Sequence, residues 1–296
     1  MDILMNVIEQ GLIFSIAAFG IYITYRILDF PDLSVDGTFP LGAAVTGLCL
    51  LYGINPFAAC VLSFGAGCLG GIVTGFLHVK LKITNLLSGI LVMIALYSIN
   101  LRIMGKSNIP LFDKQTIFSN NIDILIILFA FMIIVKIGLD LFLKTKLGFV
   151  LKAVGDNPQL VASLSINPDS IKLIGLAVSN GLVALSGSMM AQYQGFSDVG
   201  MGTGTVVMGL AAVIIGESVF GRIRVLKPTT TALLGSMLYK GSIAIALMFG
   251  LPSTDLKLVT ALIVVLALSL NGKKLSFKVK KYKAGGESIA KNTEAA

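Results

Sequence analysis

The chain reads as an all-α protein, a polytopic transmembrane helical bundle, and three observations predict it. Of its 296 residues 55% are hydrophobic and only 13% charged, where a soluble domain carries about 25% charged residues. Mean hydropathy is +0.90, and the charges gather in short clusters between long stretches that carry almost none. Finally, Lys and Arg fall mostly on one side of the succession of apolar stretches, the asymmetry that orients membrane proteins.

A span needs about 20 mostly apolar residues. The candidates, in order, are Ile3 to Tyr25, Thr38 to Tyr52, Pro56 to Leu77, Ile83 to Met104, Ile122 to Leu143, Ile171 to Tyr193, Met201 to Phe220, Thr229 to Phe249 and Leu256 to Leu270. The second and ninth are short enough to be half-spans or re-entrant pieces, so the expected number is about nine. Placing the N-terminus outside puts Arg26, Lys80, Lys82, Lys144, Lys146, Lys152, Lys172, Arg222, Arg224, Lys227 and seven tail lysines in the cytoplasm. Arg102, Lys106, Lys114 and Lys257 remain outside, and Lys136 and Lys240 lie within spans. The C-terminus is then cytoplasmic, and the number of spans is odd. Residues 1–270 form the transmembrane domain. Residues 271–296, basic and rich in Gly, Asn and Thr at the end, are expected to be solvated and partly disordered. Asp2 and Glu9 stand where a signal peptide would carry basic residues, so the first apolar stretch is expected to stay in the membrane.

The same features exclude several classes. The net charge of +8 comes largely from loops and tail, and no stretch interleaves aromatics with basic residues, so no nucleic acid is expected as a partner; the partner surface is membrane lipid. Cys49, Cys60 and Cys68 lie in apolar stretches at spacings that match no zinc pattern, and read as buried small residues. His78 stands alone at a helix end. Asp29, Asp32 and Asp36 would need to converge to hold a metal, but Pro31 interrupts the helix; a turn with capping carboxylates is the simpler reading, and no metal is expected. A membrane enzyme would need a catalytic constellation that one His and no paired acidic motif do not supply.

Within the spans, small residues recur at four-residue spacing, as in Gly67, Gly71 and Gly75 or Ala212 and Gly216, which lets helix backbones approach closely. The sixth span carries Ser179, Asn180, Ser186, Ser188, Gln192 and Gln194, too many polar groups to face lipid all round. Asn180, Ser186 and Gln192, with Lys240 in the middle of the eighth span, are therefore the candidates for a translocation pathway. An ammonium at Lys240 needs a partner: Glu217, another helix, water or a substrate carboxylate. Lys136 has Asp140 one turn on and can reach the interface by its long stem.

The longest cytoplasmic segment, 144–170, reads KTKLGFVLKAVGDNPQLVASLSINPDS. Gly148 to Val154 is helical in pattern. Asp156-Asn157-Pro158 breaks and restarts it, with Asn157 able to cap and Pro158 suited to the first helical turn. Asn167-Pro168-Asp169-Ser170 repeats that start signal before the sixth span. A short helix, a turn and a second short helix result, with an apolar face that needs a protein partner or the membrane surface.

Leu147-Gly148, Ala153 through Pro158 and Ser165-Ile166-Asn167 together resemble the cytoplasmic loop of the branched-chain amino acid and ribose permeases, subunits of ATP-binding-cassette (ABC) importers. Arg26 to Gly42 and Ala191 to Gly221 are similar to two further conserved stretches of that family. The Asp-Phe-Pro-Asp-Leu-Ser-Val-Asp-Gly form resembles most a subgroup partnered with binding lipoproteins, some handling aromatic amino acids. The resemblance implies that Gly148, Phe149, Leu151, Lys152, Ala153, Val154, Gly155, Asp156, Asn157 and Pro158 form a coupling helix docking into a separate ABC ATPase subunit. It further implies an extracellular solute-binding lipoprotein and a second permease copy, a homodimer in the simplest case. One position departs: the family usually has Gly where this chain has Ser165, so the turn there either avoids a left-handed residue or is capped by Ser165. The chain has no GxxxxGK[ST] and its Gly200, Gly202 and Gly204 do not complete GxGxxG, so ATP and Mg would bind at the partner ATPase, and the chain itself is expected to bind no cofactor and to be no enzyme. The expected function is import of a small solute, an amino acid and perhaps an aromatic one, across the cell membrane. The alternatives are a sugar or nucleoside permease of the same family and a secondary transporter, for which Lys240 with Glu217 is the one candidate ion-coupling pair.

Overall fold

The computed structural model describes residues 2–119, 122–221, 223, 226–248, 255 and 258–265. Eight long helices dominate: α1 (Asp2–Tyr22), α2 (Val35–Leu51), α3 (Pro56–Val79), α4 (Asn85–Met104), α5 (Ile124–Lys144), then, after the short α6 (Lys146–Asp156) and α7 (Pro158–Ser163), α8 (Pro168–Gln194), α9 (Thr205–Phe220) and α10 (Pro228–Met248). Residues 258–265 are also helical. Two three-residue strands, β1 (Asn108–Pro110) and β2 (Phe196–Asp198), pair antiparallel with Ile109 opposite Ser197.

Among the described residues, six helical segments are long and apolar enough to cross a membrane: Met5–Ile27, Pro56–Val79, Asn85–Met104, Ile124–Lys144, Pro168–Gln194 and Val199–Phe220. Helix α2, with 17 residues, is a shorter apolar helix, and α10 is 21 residues long with Lys240 inside it. The molecule is thus a multi-pass helical bundle. The second predicted span begins three residues earlier than expected, at Val35. The first runs on through a π-helical turn, Ile23–Ile27, before Asp29 breaks it with a φ of +50°. The two short strands are a departure from a purely helical reading. They arise because the α4–α5 and α8–α9 connections run side by side and pair their free backbone groups. Expectations for the end of the eighth span, both ends of the ninth and the tail fall outside the described residues, as do Arg222, Arg224 and Lys257.

Helix α8 is the hub. In α1 and α8, 78% of the apolar window is buried, against 17% in α5, which leaves most of α5 to face lipid. The approach to the hub depends on residues without side chains: a methyl group at Gly67 would overlap the Asn180 carbonyl, and one at Gly71 the Leu176 carbonyl. Gly42 of α2 meets the Ala184 carbonyl in the same way, Gly20 of α1 that of Ser179, and Gly216 and Gly235 let α9 and α10 touch backbone to backbone. The expected small-residue spacing is therefore used for packing within the chain. With lipid as apolar as the side chains, such close van der Waals contact is what holds helices together.

Helix ends sort to two poles. Gly155 of α6 lies on the Ile27 carbonyl at the end of α1. Glu217 near the end of α9 pairs with Arg26 at 3.0 Å. Asp140 near the end of α5 takes Lys136 at 3.1 Å, Lys227 at 2.9 Å and Thr229 Oγ1 at 2.6 Å. One pole therefore carries α6, α7, the C-terminal ends of α1, α5 and α9, and the N-terminal ends of α8 and α10. The other carries the β1–β2 ribbon.

Candidate functional site: the α6–α7 pole and the buried polar seam

Thr145 accepts the Gly148 amide at 3.3 Å and opens α6. Asn157 caps α7 by accepting the Leu160 amide at 3.1 Å with Pro158 in the first turn, and Asn167 caps α8 by accepting the Asp169 amide at 3.0 Å. Each start satisfies an otherwise orphaned helix N–H. Between α7 and α8, Ser165 does take the left-handed conformation, with a φ of +62°; the alternatives of avoiding it or capping from Ser165 are not used.

The ten coupling positions divide into two sets. Gly148, Leu151 and Val154 are buried and, with Gly155 pressed on Ile27 and Gly148 on the end of α5, seat α6 on the bundle. Lys152, Asp156, Asn157 and Pro158 are exposed, Phe149 stands 74% exposed, and Ala153 is half-buried. Leu160 and Leu164 of the α7 region, 56% and 66% exposed, extend the outward apolar surface. Their signal was present in the sequence as apolar residues on the far side of the Asn157 break.

The candidate pathway residues lie inside the packing. Asn180 donates to Asp32 Oδ2 at 2.8 Å and accepts from Thr38 Oγ1 at 2.6 Å, while Ser34 binds Asp32 Oδ1 through its hydroxyl at 2.6 Å and its amide at 2.9 Å. Burial pushes the Asp32 carboxyl above the usual carboxylate range, against the pull of the Ser34 and Asn180 donors. Ser186 donates to the Ile13 carbonyl at 2.8 Å. Gln192 accepts the Ile117 amide at 3.1 Å and donates to Cys60 Sγ at 3.3 Å. Lys240 reaches α1, with Gln10 Oε1 at 3.4 Å and the Phe14 ring centroid at 5.2 Å; Glu217 is taken by Arg26, so the anticipated Lys240–Glu217 pair does not form. The structure does not converge these residues: Asn180, Ser186 and Gln192 of α8 turn to different partners, and Lys240 stands against α1.

The three aspartates do not converge either. Asp29 is exposed, Asp32 is buried in the seam, and Asp36 accepts the amides of Gly204 at 3.0 Å and Val206 at 2.8 Å, capping α9 from α2. Asp32 also accepts the Ser34 amide at the turn that starts α2, whereas Asp36 caps a distant helix. Among the described residues no group of three or more His, Cys, Asp or Glu could hold a metal.

The fold and this pole define a multi-pass membrane protein with a short helix pair at one end of its bundle. The chain matches, over residues 3–270, the family described as branched-chain amino acid transport system / permease component, and it belongs to that family. It is 53% identical over 275 residues, 93% of each chain, to a tyrosine transport system permease protein of Clostridioides difficile. An uncharacterized protein of Rickettsia prowazekii is 36% identical over 278 residues, 91% of this chain and 98% of its own. A probable branched-chain amino acid transport permease, LivH, of Methanocaldococcus jannaschii is 27% identical over 207 residues, 62% and 65% of the two chains. No solved structure matches. The chain is a multi-pass plasma-membrane permease.

Proposed function

We propose that this chain is the transmembrane subunit of an ATP-driven importer for an aromatic amino acid, with L-tyrosine as the first candidate. The observation that carries the solute is the 53% identity, end to end, with a permease whose name gives tyrosine transport. The coupling role rests on the division of α6 and α7. One set of residues seats the pair on the bundle, while Phe149, Leu160 and Leu164 present apolar surface to whatever lies beyond. An isolated pair of solvated helices would not expose three large apolar side chains without a partner to cover them. We take an ABC ATPase binding ATP and Mg as that partner; the basic loops favour a cytoplasmic position for this pole, with about nine spans and the N-terminus outside. A binding lipoprotein delivers solute at the ribbon pole, and a second permease copy completes the pathway. Motion of the ATPase pushes on α6, which bears through Gly148 and Gly155 on the ends of α5 and α1. The α8 residues Asn180, Ser186 and Gln192, and Lys240 on α10, are the residues we assign to the translocation pathway. Uptake of labelled L-tyrosine into proteoliposomes holding the chain, its ATPase and the lipoprotein tests this: import that requires ATP supports it, and import driven by an ion gradient without ATPase makes the chain a secondary transporter.

A further inference from the structure

The connection from α8 to α9 leaves helical structure inside the bundle. Ser197 of β2 lies against Gly47 of α2, whereas Gly202 lies against Asp36 and Pro40, up to eleven residues along α2 and so about 16 Å nearer the α6 pole. Non-helical backbone at such depth persists only where protein covers it or where it lines a cavity. Both apply here. Gly202 rests on the Asp36 carbonyl, which Pro40, having no N–H, leaves without its helical donor. The turn itself walls a cleft of about 450 Å³ between α2 and α4, bounded by Asp36, Pro40, Met93, Tyr97, Asn100 and Thr203 among others. That volume is in the ~300–1,000 Å³ range of small-molecule sites.

Asn100 marks what the cleft accepts. Its side chain is fully buried and its Nδ2 donates to the Gly37 carbonyl at 3.1 Å, but among the described residues its Oδ1 has no partner. A buried acceptor left in this way costs about 1–3 kcal/mol until something donates to it. Asp36, whose two oxygens accept the Gly204 and Val206 amides, adds negative charge to the same wall, and among the described residues no Lys or Arg lines the cleft; Arg102 belongs to the adjoining groove with Ser98. An anionic head group would meet the Asp36 carboxylate with no cation to offset it. A cationic donor fills the open Asn100 acceptor and suits the sign of the Asp36 wall. Pro40, Met93 and Tyr97 offer an apolar wall for the remainder of the molecule.

We infer that this cleft is a solute chamber of the permease, which receives the ammonium group of an amino acid against Asn100 and its apolar body against Met93 and Tyr97. The inference rests on the permease reading above. Because Asp36 also caps α9, occupancy of the chamber and the position of α9 share one side chain. The test uses Thr203→Cys, at an exposed position on the cleft wall, in the full chain in lipid nanodiscs, labelled with neutral iodoacetamide. L-tyrosine and tyramine, both bearing an ammonium, slow labelling about tenfold at ten times their Kd. The probe 3-(4-hydroxyphenyl)propionate, with the ring and carboxylate but no amine, does not. Adding Asn100→Leu removes the protection while labelling persists, and Asn100→Asp, which keeps the acceptor, retains it. Absence of labelling, meaning a cleft sealed by lipid or a second copy, overturns the inference. So does equal protection by the propionate, protection by none of the three compounds, or protection indifferent to Asn100→Leu. Failure of ATP-driven uptake, measured separately, overturns the permease reading and leaves these labelling outcomes intact.

Discussion

Ser165 holds a left-handed backbone, with a φ of +62°, at the turn between α7 and α8. A side chain there costs about 1 kcal/mol relative to glycine. Ser165→Gly is expected to stabilise the α7–α8 turn by that amount, seen as a higher midpoint in thermal unfolding in detergent; an unchanged or lower midpoint would contradict the strain. Asp36 works in the opposite sense. Its carboxylate accepts two amides at the start of α9, across 170 residues of sequence. Asp36→Ala is expected to destabilise by about 2 kcal/mol, at the upper end for a helix cap, and Asp36→Asn by less because one acceptor remains; the unfolding midpoints of the two variants rank this. Caps made within the local chain, Asn157 and Asn167, were legible in the sequence because partner and cap lie two or three residues apart. Asp36, Asp32 and Asn100 were not, since nothing in an apolar stretch says which distant backbone a carboxylate or amide will meet. The aspartates gave only the warning that polar groups in a membrane must be satisfied.

At the scale of elements, α8 is held by backbone contact with α1, α2 and α3, and the spacing of Gly67, Gly71 and Gly75 announced it. What spacing alone does not give is the facing partner, because a helix face that admits a close neighbour serves equally within a chain or between two copies. Gly71→Leu would drive a side chain into the Leu176 carbonyl and should cost about 3 kcal/mol, the range of overpacked cores. Gly65, with open space around it, should tolerate Ala with little effect. Comparable midpoints for the two variants would contradict the packing described. The α6–α7 pair was legible as two helices from its caps and its period. Which residues of it face inward was not, because the ends of α1 and α5 that it sits on are remote in sequence. Gly155 is the instructive position: it carries the seating of α6 on Ile27, so a bulky residue there tests folding before it tests docking.

At the scale of the whole molecule, the hub of α8, the ionic ties at the α6 pole and the buried seam give a bundle whose two poles differ in kind. One pole ends in a paired ribbon. The other ends in two short helices, seated by small and apolar residues and turned outward with Phe149, Leu160 and Leu164. Those three exposed side chains, on a helix pair fixed to the ends of spans, are the surface that the proposed function assigns to an ATPase. Composition and charge bias made the membrane bundle legible, whereas the eighth and ninth apolar stretches are weaker signals, interrupted by Lys240 and shortened by Pro252. The measurement that bears most directly on the central claim is co-purification of the chain with its ATPase in detergent, comparing the native chain with Phe149→Glu plus Leu164→Glu, two exposed positions that leave the seating of α6 untouched. The account predicts an ATPase bound to the native chain and lost from the variant, with both permeases unfolding at similar temperatures. An ATPase retained equally by both would contradict the assignment of this face, and a native chain that imports solute with no ATPase bound would contradict the claim itself.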